Sequence, residues 1–357
     1  MVGIYDNFRG CLRQSLTISL LYQFSIDQPI MKHVSIIIPQ GPIILSSVIG
    51  TYKVFSFVNQ FMLMKGKSPA FDIHLVGLSK ECELYDGLFA VRPNSLLNEV
   101  QKTDLIMIPA FYGNPMEGIE RNMDFVPWII EQYKRGAEVA SLCTGAFLLA
   151  STNLLKGKTC TTHWMAADIF RQAFPNIKLM PEKLIIDELG IYSSGGAYSF
   201  LNLVIYLVEK YCGRDVAVHC SKVMEIEIDR ESQSPFVIFS GQKEHQDESI
   251  KKAQIYIERN VGTKISVDQL SDMFSISRRN FERRFKKATS NTPVEYLQRV
   301  KIEAAKKSLE SGRENVNEVM YAVGYSDNKA FRNIFKKITG LSPIEYRNKY
   351  NREMAVS

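Results

Sequence analysis

Between Lys32 and about Glu227 the chain alternates short continuous apolar runs with longer stretches of helical spacing. Val34-Ser-Ile-Ile-Ile, Ile73-His-Leu-Val-Gly-Leu, Asp104-Leu-Ile-Met-Ile-Pro and Glu138-Val-Ala-Ser-Leu-Cys read as strands buried on both faces. Ile49 to Met64, Asn122 to Arg135 and Thr144 to Leu155 repeat their apolar positions every three to four residues and predict helices. Strands alternating with helices imply a parallel sheet covered on both sides. From Arg230 to Glu248 the chain is polar, rich in Ser, Gln and Glu and broken by Pro235-Phe-Val-Ile-Phe, and reads as a linker. Beyond it only helical periodicity remains. Residues 1–31 fit neither pattern. Leu16 to Phe24 is apolar but short and lacks a small-residue cleavage site, so this stretch is expected to be an extension, from an upstream start codon, and not a secretory signal.

The helical segment contains a repeat of 50 residues. Phe281, Phe285, Lys286, Lys287, Thr289, Pro293, Glu295 and Tyr296 recur as Phe331, Phe335, Lys336, Lys337, Thr339, Pro343, Glu345 and Tyr346. Eight identities in sixteen positions, where chance gives about one, mark a duplicated unit. Each copy has the grammar of a helix-turn-helix. In the first, Ser266 caps a helix with Val267, Leu270 and Phe274 inward; Ser-Ile-Ser at 275–277 turns the chain; a second helix from Arg278 buries Phe281, Phe285 and Ala288. It leaves Arg278, Arg279, Glu282, Arg283 and Lys286 outside. In the second, Val316, Val319, Met320 and Val323 precede Gly324-Tyr-Ser-Asp, and the following helix buries Phe331, Phe335 and Ile338. Its outer positions are Asn328, Lys329, Arg332, Asn333 and Lys336. Arg, Asn and Lys on one exposed face can bond base edges and phosphates. Pro293 suits a first helical turn, and Val294 to Leu309 predicts a connecting rod of ~25 Å. A rod of that length suits two recognition helices in successive major grooves, ~34 Å apart.

Composition narrows the class. A chain of 357 residues suits two domains, and no apolar run is long enough to cross a bilayer. Six scattered cysteines (Cys11, Cys82, Cys143, Cys160, Cys212, Cys220) lack a C-x-x-C pair, which argues against a disulfide framework and a structural zinc site and for a cytoplasmic setting. No metal and no cofactor are expected. The net charge of +6 hides a split: from Lys251 onward there are 22 Lys and Arg against 12 Asp and Glu, a net +10, while residues 1–250 carry −4. A basic tail with interleaved aromatics points to a polyanion, most simply duplex DNA.

In the acidic part, the strand Glu138 to Leu142 ends at Cys143-Thr-Gly-Ala and a helix follows at once. A cysteine at such an elbow meets helix N-terminal N–H groups, which lower a thiol pKa and can hold an oxyanion. Cys143 is therefore expected to label faster than Cys212 or Cys220. Twenty residues on, Thr161-Thr-His163-Trp brings further polar chemistry. A packing role for either residue is the plain alternative.

The segment from about Ser249 to Tyr350 resembles the AraC/XylS-type DNA-binding domain over its whole length. The resemblance rests on Ser277-Arg-Arg-Asn-Phe-Glu-Arg-Arg-Phe-Lys-Lys, on Ala322-Val-Gly-Tyr-Ser-Asp-Asn-Lys-Ala-Phe-Arg-Asn-Ile-Phe-Lys-Lys and on Gly340-Leu-Ser-Pro-Ile-Glu-Tyr-Arg. It implies base-facing roles for Arg279, Glu282, Arg283, Asn328, Lys329, Arg332 and Asn333. Lys32 to about Asp229 is similar to the ThiJ/PfpI superfamily, through Cys143-Thr-Gly-Ala-Phe-Leu-Leu-Ala and Gly157-Lys-Thr-Cys-Thr-Thr-His-Trp. That likeness implies a flavodoxin-like, class I glutamine-amidotransferase-like α/β fold. The branch includes GlxA-type regulators, which share this domain order, and isonitrile hydratase. Active members carry an acidic residue after the first strand; here Gly41-Pro-Ile-Ile-Leu-Ser-Ser-Val has none. Thr144 follows Cys143 where peptidase-like members have His, and Asn202 stands where relatives tend to have Asp.

The sequence thus predicts an extension at 1–31, an α/β sensor domain at 32–229, a linker at 230–248, an all-α double helix-turn-helix domain at 249–350 and a tail at 351–357. The expected protein is a one-component transcription regulator, a homodimer or higher oligomer bound to double-stranded DNA and not to a membrane. Cys143, Thr144, His163 and Ser194 would line an uncharged pocket for a small-molecule effector or sense oxidation, without catalysis. A cysteine hydrolase or hydratase carrying a DNA-binding domain is the alternative.

Overall fold

The structure, a computed structural model, describes residues 31–228 and 230–351. The expected extension and tail therefore lie outside the described residues, apart from Met31 and Asn351. The strands are β1 (Lys32–Ile38), β2 (Phe71–Gly77), β3 (Cys82–Leu84), β4 (Phe89–Val91), β5 (Ser95–Leu96), β6 (Leu105–Ile108), β7 (Glu138–Ser141), β8 (Thr159–Cys160), β9 (Lys178–Leu179), β10 (Ile185–Glu188) and β11 (Ile191–Ser194). Seven of them form one sheet in the order β10-β11-β7-β6-β1-β2-β5, parallel except for β10 against β11. Ile36, Ile37 and Ile38 are all fully buried although successive side chains point to opposite faces, so both faces of the sheet are covered. The cover comes from α1 (Leu45–Met64), α2 (Pro115–Arg121), α3 (Phe125–Lys134), α4 (Ala146–Ser151), α5 (Ala167–Ala173), α6 (Phe200–Cys212) and α7 (Arg214–Val223). α1 packs on α6 at close range: a Cβ on Gly50 would stand 2.7 Å from the Phe200 ring.

The expected helix over Thr144 to Leu155 is shorter than its periodicity implies. The chain leaves β7 through a 3-10 turn at Cys143–Gly145, and α4 covers only Ala146–Ser151. The Asn122 to Arg135 stretch likewise becomes helical only at Phe125.

The second half holds α8 (Glu248–Arg259), α9 (Val267–Met273), α10 (Arg278–Thr289), α11 (Pro293–Ser311), α12 (Val316–Ala322), α13 (Asn328–Thr339) and α14 (Pro343–Tyr350). Two separate cores lie side by side. Ile250, Ile257, Leu270, Phe281, Phe285 and Tyr296 form one; Ile302, Leu309, Met320, Phe331, Phe335 and Tyr346 form the other. The 50-residue repeat persists in their packing. Phe285 meets Tyr296 edge-on at 5.3 Å and 77°, and Phe335 meets Tyr346 at 5.5 Å and 79°. The capping boxes Thr292–Glu295 and Ser342–Glu345 start α11 and α14 in the same way. α11 belongs to both cores, and its buried Lys301 donates from Nζ to the carbonyls of Thr263 (3.0 Å) and Val323 (2.9 Å), tying one unit to the other.

The segment expected as a linker is a structured strap. Leu184 donates to the Glu231 carbonyl, and the strap bridges Lys183 to Ser232. It continues past Pro235, whose carbonyl accepts from the Tyr350 hydroxyl (3.2 Å), and past Val237, whose carbonyl accepts from Lys306 Nζ (2.6 Å). Polar composition hid this because Ser232 and Gln233 spend their polar groups on protein carbonyls. Among the described residues no helix is long and apolar enough to cross a membrane.

Candidate nucleic-acid interface and cysteine site

The turn between α9 and α10 and the turn between α12 and α13 point the second helix of each unit outward on its polar side. Phe281 and Phe285 anchor α10, Phe331 and Phe335 anchor α13, and all four are fully buried. A 3.6-residue period then forces the intervening positions to the surface. Arg279, Arg283 and Lys286 on α10 and Lys329, Arg332, Asn333 and Lys336 on α13 are exposed. α13 carries four basic side chains and no acid. Asp327 caps α13 by accepting from the Ala330 N–H at 2.6 Å, and Gly340 ends it at φ 76°.

Not every residue of the expected surface is equally available. Arg278 is held by Asp268 at 3.0 Å and by Glu282 at 3.1 Å, so both Arg278 and Glu282 are partnered within the protein. Asn328 is half-buried and donates to Asn317 Oδ1 at 2.6 Å. Among the described residues Arg283 donates only to Asn280, at 2.9 Å. Among the described residues Arg279, Lys329, Arg332 and Asn333 make no hydrogen bond or ion pair, so meeting DNA costs them no internal partner. Spacing alone does not reveal this division, because the carboxylate that holds Arg278 sits ten residues earlier, on α9.

At the other site the elbow is present. Cys143 has φ 54°, a left-handed conformation that costs a non-glycine residue about 1 kcal/mol or more. Gly145 permits the turn, since a Cβ there would stand 2.5 Å from the Ile108 carbonyl oxygen. Thr144 clamps the neighbouring loop: its hydroxyl donates to the Phe111 carbonyl (2.8 Å) and accepts from the Phe111 N–H (2.9 Å). The backbone N–H groups of Ala197 and Thr144 and the Thr144 hydroxyl favour the thiolate of Cys143.

The expected low-pKa thiolate is contradicted. Burial pushes the Cys143 thiol up, and it outweighs the N–H donors of Ala197 and Thr144 and the Thr144 hydroxyl, because a charge removed from water loses more than two or three dipoles return. Cys143 is 2% exposed, and α4 behind it is only six residues long. No carboxylate is among the groups that shift it. His163 is neutral at pH 7, since burial lowers its pKa, and its Nδ1 accepts the Met165 N–H at 3.0 Å. The ring proton therefore sits on Nε2, which makes the other edge a donor and not a base. No hydrogen bond joins His163 to Cys143 among the described residues.

Ser194 lies one residue beyond the Ser193–Ser141 pair of β11 and β7, beside the start of the elbow. It is fully buried with no partner for its Oγ among the described residues. Such an orphan is uncommon in a folded protein. Asn202 is committed elsewhere, donating to the Glu227 carbonyl.

The strap supplies residues that the sequence did not flag. Gln233 is 2% exposed. Its Oε1 accepts the Gly196 N–H at 2.8 Å, and its Nε2 is shared among the carbonyls of Thr162 (2.9 Å), Pro181 (2.8 Å) and Lys183 (3.1 Å). The Thr162 hydroxyl donates in turn to the Cys143 carbonyl at 2.9 Å. Gly195 and Gly196 are required here: a Cβ on the first would strike Gln233 at 2.2 Å, and on the second His163 at 1.9 Å. The expected pocket is thus closed around a buried Cys143 and Ser194, with the elbow, Thr162 and the strap in one hydrogen-bonded unit and the His163 ring packed against Gly196.

A parallel α/β domain with a strained cysteine elbow, followed by two helix-turn-helix units sharing one helix, defines the class. A model of the DJ-1/PfpI family matches residues 51–210, and a model of a helix-turn-helix domain matches residues 270–349. The chain joins a domain of the DJ-1/PfpI family to a helix-turn-helix domain of the AraC type. It is similar to the HTH-type transcriptional regulator GbdR of Pseudomonas aeruginosa, 25% identical over 64% of this chain and 63% of that protein. It is similar also to the HTH-type transcriptional regulator GlxA of Rhizobium meliloti, 22% identical over 60% of this chain and 66% of that protein. An isonitrile hydratase of Pseudomonas putida is 24% identical over 41% of this chain and 60% of that enzyme. The chain thus spans less than two thirds of the length of the first of these relatives.

Proposed function

We propose that the protein is a sequence-specific DNA-binding transcription regulator whose α/β domain is a sensor without catalytic turnover. One observation carries the reading: two equivalent recognition helices present exposed Arg, Lys and Asn side chains on a basic domain while their aromatic faces are buried. The names of the relatives GbdR and GlxA support it. A cytoplasmic setting fits this reading, and pairing of two chains, as a homodimer or higher oligomer, would extend the site it reads. The strap offers a route for the signal. Gln233 touches the Cys143 unit, and within a few residues Pro235 and Val237 touch α14 and α11. Any ligand or oxidation that opens the elbow must displace Gln233 and so disturb the strap against the DNA-binding units.

The hydratase likeness and the strained elbow favour an enzyme reading. Against it stand a buried protonated thiol, the lack of a carboxylate acting on it and a histidine whose lone pair is already taken. Selection of bound duplexes from random or genomic DNA with the full-length chain is the test. The reading requires a recurring sequence and an affinity that falls steeply with salt. Turnover of an isonitrile or amide, lost in Cys143→Ser, with no selected sequence, would favour the enzyme.

A further inference from the structure

The strongest cluster outside these sites is His33, Asp72 and His74, at the end of the sheet opposite the elbow. His33 stands beside Asp72 in the parallel register of β1 and β2, and Ser35 stands beside His74. Alternation along each strand places His33, Asp72 and His74 on one face. The two imidazole rings stack at 4.4 Å and 23°. One donor atom from each of the three residues lies within 4.8 Å of the others.

The ring orientations are fixed from behind. His33 Nδ1 is 2.9 Å from the Thr103 hydroxyl, and His74 Nδ1 is 2.8 Å from the Ser95 hydroxyl. Thr103 is itself buried; its hydroxyl donates to the His33 carbonyl at 3.0 Å and accepts from the Ser35 hydroxyl at 3.0 Å. With its proton on a carbonyl, the Thr103 oxygen accepts from His33 Nδ1, which leaves the His33 Nε2 lone pair free. His74 Nε2 points at Asp72 Oδ2, 3.1 Å away. Oxygen partners behind Nδ1 that leave Nε2 for a metal are the outer-shell arrangement of metal-binding histidines.

We propose that His33, Asp72 and His74 bind one divalent transition-metal ion of the zinc, cobalt or nickel kind. Two imidazoles and one carboxylate suit such borderline ions, with water completing the coordination. Bonds of about 2.0–2.2 Å draw the donors closer together than they now stand, and the exposed Asp72 has the freedom to move. The scatter of cysteines argues against a thiolate zinc site but says nothing about this set, which only strand pairing assembles.

The test is titration of metal-free, full-length protein with Co2+ under reducing conditions. The expected result is one Co2+ per chain with visible absorption of nitrogen and oxygen ligation, displaced by Zn2+, and a thermal midpoint that rises with zinc. Asp72→Asn and His74→Gln should each weaken binding at least tenfold while circular dichroism and DNA binding stay unchanged. The chain has five histidines, so imidazole resonances assign the ligands independently: two of the five should broaden with Co2+. Strong thiolate-to-cobalt absorption, undiminished binding in His74→Gln, or no binding at tens of micromolar metal would overturn the proposal.

Discussion

Arg332 and Asn333 stand free on the outer face of α13, whereas Arg278 is spent on Asp268 and Glu282. Under the proposed function, that difference separates side chains that read DNA from one that holds the turn. Asn333→Ala and Arg332→Ala should each cost about 1–3 kcal/mol on a selected site and little on random duplex, with Arg278→Ala costing less on the selected site. Competition binding with specific and random DNA checks this, and equal losses on both would restrict these residues to phosphate. Phe335→Ala belongs to a different class. It empties a fully buried ring position and should lower the unfolding free energy by about 3–5 kcal/mol in denaturant titration. For Cys143 the geometry reverses the order that the elbow pattern implied. Burial raises its thiol, while the half-buried Cys212, at about 11, is nearer to solvent. Peptide mapping after brief alkylation of the native protein should show Cys212 modified ahead of Cys143.

At the scale of elements, Asp247 joins the strap to the first unit. It caps α8 through the Ile250 N–H and holds Arg284 of α10 in a two-point ion pair at 2.6 and 2.8 Å. The Arg284 guanidinium, then the Ile250 N–H, hold its carboxyl below the usual value of 3.8. A carboxyl whose folded pKa is depressed stabilises the fold above its unfolded pKa and loses that contribution as pH falls through the folded value. Unfolding midpoints should therefore decline below about pH 4, and Asp247→Asn should be less stable at pH 7 but flatter across that acid range. A parallel decline in both would remove Asp247 from the account. The repeat, its caps and its aromatic anchors were legible in the sequence because they act within a few residues of one another. The parallel pairing of β1, β2, β6 and β7 followed from apolar runs alternating with helices, whereas the seven-stranded order and the antiparallel β10 did not. What stayed hidden depends on contacts between distant residues: Gln233 against Gly196 is 37 residues apart, and His33 lies beside Asp72 only through strand register. The Cys143 pattern was visible, but its burial, which decides the sign of the pKa shift, was not.

For the whole molecule, the acidic α/β part and the basic helical part are joined by a strap that closes the cysteine site at one end and touches α11 and α14 at the other. Gln233→Ala should open that site without touching the recognition helices. The labelling rate of Cys143 should rise severalfold or more and affinity for a selected duplex should shift with it; an unchanged rate would mean that Gln233 does not seal the site, and an unchanged affinity that the strap carries no signal. Under the proposed function both recognition helices engage one DNA site at once. Hydroxyl-radical footprinting of the full-length chain on a selected duplex tests it most directly. The structure predicts two protected patches per bound chain on one face of the DNA, about one helical turn apart, with Arg283→Ala weakening one and Asn333→Ala the other. A single patch, or uniform protection without preference for sequence, would contradict it.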